Sequence, residues 1–338
     1  MQIGKYLLQR YLGNGAFGDV HLANDIALNT IKAIKIIDVE NPDEFMDKLE
    51  EAQILHKCKH KHIVIVNEAG IYEVEGEPKV IIDMEYLEKG SFEQAIKNYS
   101  ISIQDSISYT INCLLALEHA HNQGILHRDI KPANILLCDY GAKLSDFGLA
   151  TVLGEKEFGS PRGYKTHLAP EVFTTHETTE LTDIYAMGIT LFRACNYMID
   201  NWMLAIRSVQ NADDKLIKGK LLEAIGYQDF IPSNIKKIIK KASSSNLNKR
   251  YKSAFEMRQA LERLKPKINW YILNKNSWEG ICKQTNKTFI AILIKKRDTF
   301  QVEIKQNGRR ITFDCRNFHS LVEAENYLNN YISKTMFL

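Results

Sequence analysis

One short segment concentrates a carboxylate, a cation and a carboxamide: His127-Arg128-Asp129-Ile130-Lys131-Pro132-Ala133-Asn134. Twelve residues past Asn134 stands Asp146-Phe147-Gly148. A carboxylate that orients a hydroxyl, with an Asn and a second Asp to bind Mg²⁺, is what phosphoryl transfer requires. Such a reaction relies on positioning and charge neutralisation more than on covalent catalysis. A polar surface loop with a turn proline accounts for the first segment alone, but not for both in this order and spacing.

Two earlier segments suit the same chemistry. Gly13-Asn14-Gly15-Ala16-Phe17-Gly18-Asp19-Val20 lies between two strand-like runs. Its three glycines let a turn approach phosphates closely, with backbone amides facing the anionic oxygens. An ordinary hairpin is also often glycine-rich. Val20-His21-Leu22-Ala23 reads as strand, whereas a dinucleotide-binding loop would run straight into a helix. Ala33-Ile34-Lys35-Ile36-Ile37 sets one lysine in an apolar strand. A buried ammonium needs an anion, and Glu51 on the following helix can supply it; an edge-strand lysine would instead reach water.

The elements that must hold these residues fall into two blocks. Tyr6 to Leu12, Asp19 to Ala23 and Ile31 to Ile37 are apolar or alternating runs, as in an antiparallel sheet. A charged helical pattern follows from about Pro42 to Lys57, then two strands around Gly70 and Lys79 to Tyr86. After Gly90, Ile107, Ile111, Leu114, Leu115 and Glu118 recur at helical spacing up to Gly124, and most of Leu181 to Leu264 reads as helix. A β-rich lobe before a helical lobe is an α+β arrangement with a cleft between as the natural ligand site.

Composition agrees with a globular chain: 338 residues, 45% hydrophobic and 25% charged, suffice for one large two-lobed domain plus a small one. The net charge of +3 does not argue for nucleic acid, although residues 267–338 hold twelve Lys and Arg against six Asp and Glu. Cys58, Cys113, Cys138, Cys195, Cys282 and Cys315 show no framework spacing, which reads as reduced thiols in a cytoplasmic protein. The opening Met1-Gln2-Ile3-Gly4-Lys5 lacks the apolar core of a signal peptide, and no apolar run approaches a membrane span. Cytoplasmic localisation with no membrane partner is the expectation.

The ordered motifs resemble the eukaryotic-like (Hanks-type) Ser/Thr protein kinases over roughly Tyr6 to Leu264. The resemblance takes in Ala169-Pro170-Glu171, which closes the activation segment, and Arg250, placed to pair with Glu171. It takes in Asp183, which anchors the catalytic loop from a buried helix. It implies a two-lobed protein-kinase fold: residues 1–265 as kinase domain, with an N-lobe to about 87 and a C-lobe from about 88. ATP and Mg²⁺ (or Mn²⁺) are the implied cofactors. Gly13, Gly15, Gly18, Val20, Ala33, Lys35, the gatekeeper Met84 and the hinge residues Glu85 and Leu87 would hold the nucleotide. Lys35 would grip the α- and β-phosphates, oriented by Glu51. Asp129 would accept the hydroxyl proton, Lys131 would steady the γ-phosphate, and Asn134 and Asp146 would bind metal. Lys131 is the Ser/Thr form of this loop. The implied partners are protein substrates, with autophosphorylation included, in cytoplasmic signalling or defence. The pattern departs from the family's Gly-Thr-x-x-Tyr at Gly163-Tyr164-Lys165-Thr166-His167, where Tyr164 and His167 replace the usual threonine and tyrosine. This leaves dual Ser/Thr and Tyr specificity open. For activating phosphorylation opposite Arg128, Ser160 is the first candidate and Thr166 the second, with Tyr164 also compatible. A binding scaffold without catalysis normally loses Lys35, Asp129 or Asp146 equivalents, and a small-molecule phosphotransferase would lack Ala-Pro-Glu and Lys131.

Lys265-Pro266-Lys267 reads as a boundary, after which 268–338 form a small basic α+β accessory module of β-β-β-α type. Phe300, Val302 and Ile304 alternate with Gln301, Glu303 and Lys305; Asn307-Gly308 signals a hairpin, with Ile311 and Phe313 on the return strand. Ser320-Leu321-Val322-Glu323 reads as a capping box opening a helix with Leu321, Ala324, Leu328 and Ile332 on its apolar side. Interaction or self-association is the favoured role. Nucleic-acid binding through Lys295-Lys296-Arg297 and Arg309-Arg310 is the less favoured one.

Overall fold

A computed structural model describes the chain except for residues 16–17, 40–43, 99–100, 148–150, 153–164 and 198–201. The N-terminal lobe is a six-stranded antiparallel sheet. Its strands are β1 (Gln2–Ile3), β2 (Tyr6–Gly15), β3 (Gly18–Asp25), β4 (Thr30–Asp38), β5 (Val66–Val74) and β6 (Glu77–Glu85), in the order β1-β2-β3-β4-β6-β5. Helix α1 (Glu44–Lys57) interrupts the sequence between β4 and β5. The register is what matters for the site: Val20 lies opposite Lys35, and Ala33 lies opposite both Leu22 and Met84. Alternation along each strand therefore puts Val20, Ala33 and Lys35 on one face.

The second lobe opens with α2 (Phe92–Lys97) and α3 (Ile103–His121), and the sequence fixes both starts. Ser91 with Gln94, and Ser102 with Asp105, form capping boxes that satisfy the first free amides. The helix α3 ends at His121, three residues before Gly124, which takes a positive φ of 73° beyond it. Short strands β7 (Ile125–Leu126), β8 (Ile135–Cys138), β9 (Gly141–Leu144) and β10 (Thr151–Val152) follow, β8 paired with β9 and β7 with β10. They frame the catalytic-loop candidates between β7 and β8.

The remaining helices are α4 (Val172–Thr175), α5 (Glu180–Asn196), α6 (Trp202–Ser208), α7 (Ala212–Ile217), α8 (Leu221–Ile225), α9 (Ser233–Ala242) and α10 (Ala254–Glu262). Helix α5 is buried on every side from Thr182 to Asn196 and forms the axis of the lobe. Helix α9 shows why it packs there: Ile235, Ile238, Ile239 and Ala242 face inward while Lys236, Lys237, Lys240 and Lys241 alternate around the other side. The two helices approach closely at Gly188, where an added Cβ would fall 2.8 Å from Ala242 Cβ.

The C-terminal module holds more strands than the sequence patterning marks. β11 (Asn269–Asn274), β12 (Ser277–Cys282), β13 (Lys287–Lys295), β14 (Phe300–Gln306) and β15 (Arg309–Arg310) are laid in order, with β16 (Arg316–Phe318) also beside β14, before α11 (Leu321–Thr335). Asn307 and Gly308 both have positive φ, as a two-residue hairpin needs. The return strand, however, stops at Arg310: Thr312–Asp314 form a 3-10 turn, and Phe313 is 84% exposed. Gln301 is buried rather than solvated. Ser320 makes no side-chain cap bond, and Leu321 is exposed, while Ala324, Leu328 and Ile332 are buried as their spacing requires.

The apolar side chains of this module share one continuous core with the helical lobe. Trp278 meets Phe230 edge to face at 4.8 Å, and Gln104 of α3 donates to the carbonyls of Ile268 (2.9 Å) and Met336 (2.8 Å). All six cysteines are free. Burial pushes the Cys58 thiol up to about 11. Among the described residues, no helix is long and apolar enough to cross a membrane.

Candidate active site

Asp183 organises the site from within α5. Its Oδ2 accepts the amide of His127, its Oδ1 that of Arg128, both at 2.9 Å. His121 Nε2 lies 2.9 Å from Oδ2. Burial pushes the Asp183 carboxyl up, but its bonds with His121 and His127 outweigh this and hold it below the ordinary range. The two amide bonds keep Arg128 at a φ of 66°, a left-handed conformation that costs a non-glycine residue about 1 kcal/mol or more. That turn presents the next residue, Asp129.

Asp129 is held from two sides. Lys131 Nζ donates to its Oδ2 at 2.7 Å, and Asn134 Nδ2 donates to both its backbone oxygen and its Oδ2 at 2.9 Å. Two donors on one oxygen fix the carboxylate plane. Oδ1 carries no hydrogen bond among the described residues, so it is the atom placed to take a proton. Ser145 binds back through its amide (2.9 Å) and hydroxyl (3.1 Å) to the Asn134 carbonyl, which ties Asp129's loop to Asp146.

Asp146 also has a positive φ, 59°. Its Oδ1 lies 3.0 Å from Lys35 Nζ, with the lysine side chain 4% and the aspartate 13% exposed. An ammonium so enclosed requires this carboxylate or another anion. Phe147 turns the other way, its ring 4.4 Å from that of His127. The expected partner of Lys35, Glu51, lies on α1, but its side chain falls outside the described residues.

The glycine loop is the hairpin of β2 and β3, with Gly13 opposite Val20 and Gly15 opposite Gly18. Gly18 is there for space: an added Cβ would sit within 2.1 Å of the Ile36 carbonyl. Met84 and Glu85 end β6, and the connection to the second lobe runs on through Leu87. Glu85 is less free than a hinge residue read from sequence. Its Oε1 accepts the Ile65 amide at 2.8 Å and Lys143 Nζ at 2.5 Å, and its own amide donates to the Ile65 carbonyl at 3.0 Å.

One group here was not visible in the sequence. Lys143 is 2% exposed and joins β9 to Glu85; one lysine in a four-residue strand carries no pattern. Arg250, by contrast, was anticipated, and its guanidinium is fully enclosed. It pairs with both oxygens of Glu171 (2.6 and 3.0 Å) and bonds the carbonyls of Leu181 and Ser244. Ser160 and Tyr164 lie outside the described residues. Thr166 is described, and its Oγ1 accepts Trp202 Nε1 at 3.1 Å.

The donor set fits a hard divalent cation in company with phosphates. Mg²⁺ takes oxygen ligands, commonly one or two carboxylates with the remainder from substrate and water. Asp146 supplies a carboxylate, and Asn134, a buried residue whose Nδ2 is turned to Asp129, supplies an amide oxygen. Among the described residues, no group of three or more His, Cys, Asp and Glu side chains is placed to hold a metal by itself.

Comparison with known proteins agrees. A family model described as the protein kinase domain matches residues 6–263. The chain is 32% identical over 262 residues to the serine/threonine-protein kinase PrkC of Bacillus subtilis, covering 75% of this chain and 39% of that protein. It is 34% identical over 189 residues to PknK of Mycobacterium tuberculosis (54% and 17%). It is 28% identical over 276 residues to a probable serine/threonine-protein kinase, PknB, of Lactococcus lactis (76% and 42%). The chain thus spans less than half the length of these relatives.

Proposed function

Because the chain belongs to the protein kinase family, we propose that it transfers the γ-phosphate of ATP, with Mg²⁺ or Mn²⁺, to Ser/Thr hydroxyls of proteins. The observation that carries this reading is the cluster of Asp129, Lys131 and Asn134, bonded through Ser145 to the Asp146–Lys35 pair. A bound divalent cation would neutralise charge on the phosphates. The chain's own residues do the rest. Gly13, Gly15, Gly18, Val20 and Ala33 line the nucleotide, with Met84 and the backbone of Glu85 and Leu87 at adenine. Lys35 orients the phosphates, with Glu51 of α1 as the proposed residue that steadies it. Asn134 and Asp146 take the cation.

Asp129 Oδ1 accepts the proton of the incoming hydroxyl while Lys131, already 2.7 Å from Oδ2, places positive charge beside the transferring group. Protein substrates and copies of the chain itself are the partners that fit. The basic module at 268–338 is read as an interaction surface rather than a nucleic-acid site.

The test uses radiolabelled ATP against casein and against small-molecule acceptors. Asp129→Asn should lower transfer to casein by about 10²-fold or more while nucleotide still binds. Asp146→Asn should instead abolish the metal-dependent part of nucleotide binding. Full transfer by either variant, or transfer to small molecules alone, defeats the reading.

A further inference from the structure

The end of the activation segment departs from the family pattern at His167, and the fold gives that histidine a particular setting. Its ring is 5% exposed, with Arg193 Nη1 3.3 Å from Nε2 and Thr166 Oγ1 3.3 Å from Nδ1. A guanidinium can only donate, so Nε2 must be the acceptor. Burial, together with the positive charges of Arg193 and Lys131, holds this imidazole well below its ordinary range. It is therefore neutral, and its one proton sits on Nδ1. That N–H donates to Thr166 Oγ1, which also accepts Trp202 Nε1 at 3.1 Å. Both acceptor positions of the hydroxyl oxygen are then occupied.

The network continues outward. Arg193 lies 5.3 Å over the Trp202 ring and pairs with Glu93 at 3.2 Å. Glu93 stands in the first turn of α2, Arg193 in α5, Trp202 at the start of α6, and Thr166 and His167 just before the Ala169-Pro170-Glu171 closure. Three helices thus converge on one short stretch of chain next to the catalytic lysine.

We propose that His167 is a positioning residue for transfer to the protein acceptor. As an obligatorily neutral acceptor it locks the end of the activation segment onto α5, α6 and α2, and it makes Thr166 a structural hydroxyl rather than a phosphorylation site. An imidazolium in the same place would face Arg193 and Lys131 with like charge and would lose the acceptor. A Thr166 oxygen with both lone pairs engaged is a poor nucleophile towards phosphorus. The assignment rests on the kinase reading above for its activity readout, and on exchange rates for an independent one.

The experiment uses the full chain and three variants. His167→Phe keeps a ring against Trp202 but removes the acceptor, His167→Gln restores an acceptor, and Thr166→Val removes the shared oxygen at constant shape. Steady-state kcat and KM are measured for ATP and for casein, with amide exchange followed by mass spectrometry over residues 165–175. His167→Phe and Thr166→Val should each lower kcat/KM for casein about tenfold, the loss of a hydrogen bond to a charged group or within its network, with KM for ATP within about twofold. Exchange over 165–175 should quicken in both and return towards the wild-type rate in His167→Gln. Wild-type values in His167→Phe overturn the proposal, as does a rise in KM for ATP parallel to that for casein, or phosphate found on Thr166 in the active protein. If His167→Phe does not fold, Thr166→Val decides by the same criteria. If the wild-type chain phosphorylates nothing, the kinase reading fails while the exchange comparison still judges the lock.

Discussion

Ending the chain at Lys265 removes the accessory module and leaves every catalytic candidate in place, so the cost of doing so measures how far the two parts share a core. Phe230 would lose Trp278, and Gln104 would lose two carbonyl partners. Tyr271 would vanish from beside Asp105, which, after burial, raises its hydroxyl to about 12. Uncovering a phenylalanine costs about 1.5–3 kcal/mol. Its aromatic pairing adds about 0.5–1.5 kcal/mol, and the two hydrogen bonds about 1 kcal/mol each. The total is about 4–6.5 kcal/mol, a large part of the roughly 5–15 kcal/mol that domains of this kind possess. For a domain of this size each kcal/mol shifts Tm by about 2–4 °C, so a fall of about 10–20 °C is expected. The shortened chain should still fold at 20 °C and transfer phosphate there. Thermal melting followed by circular dichroism, alongside an activity assay at 20 °C, checks this. A shortened chain that melts within about 3 °C of the full one would refute the shared-core reasoning. One that never folds would show the module to be an obligatory part of the lobe.

Other consequences are specific to single groups. Gly18→Ala should raise KM for ATP and lower Tm, because the new Cβ would collide with the Ile36 backbone, which cannot yield as a side chain would; an unchanged KM counts against the phosphate role of the loop. Arg250→Lys keeps the charge but cannot span both Glu171 oxygens and the Leu181 and Ser244 carbonyls, so a loss of about 2–4 kcal/mol in urea unfolding is expected, and a loss under about 0.5 kcal/mol would contradict the geometry. His60, His62 and His167 are all held below the ordinary imidazole value of 6.5, chiefly by burial. The unfolded chain therefore binds more protons than the folded one as pH falls below 6.5. Stability should be level just above that value and decline steadily below it; a Tm equal at pH 7.5 and pH 5.5 would contradict the assignment.

What the sequence revealed of this site follows a physical rule. Asp129, Asn134, Asp146 and Lys35 stood out because the proposed chemistry needs fixed residue types at short, ordered separations; the structure bonds Asn134 to Asp129 and pairs Lys35 with Asp146. The strands around them were legible because alternation is local, although β2 runs three residues beyond its apolar run, to Gly15. Groups whose role depends on a distant partner were not legible. Lys143 acquires meaning through Glu85, 58 residues away, and Arg193 through Glu93, 100 residues away, and His167, 26 residues away. Neither stands in a pattern of its own. The module shows the same limit from the other side. Ile311 and Phe313 alternate as a strand should, and the Ile311 amide still donates to the Ile304 carbonyl at 2.8 Å, yet the chain turns at Thr312, and the Ile304 amide meets Cys315 Sγ at 3.3 Å. Alternation proposes a strand, but only an available edge makes one, and β16 already pairs with the Phe300 to Val302 part of β14. The same reasoning bears on His167. In sequence it is a departure from a familiar pattern and nothing more; beside Arg193, with no room for a second proton, it becomes a group whose neutrality is imposed by its surroundings.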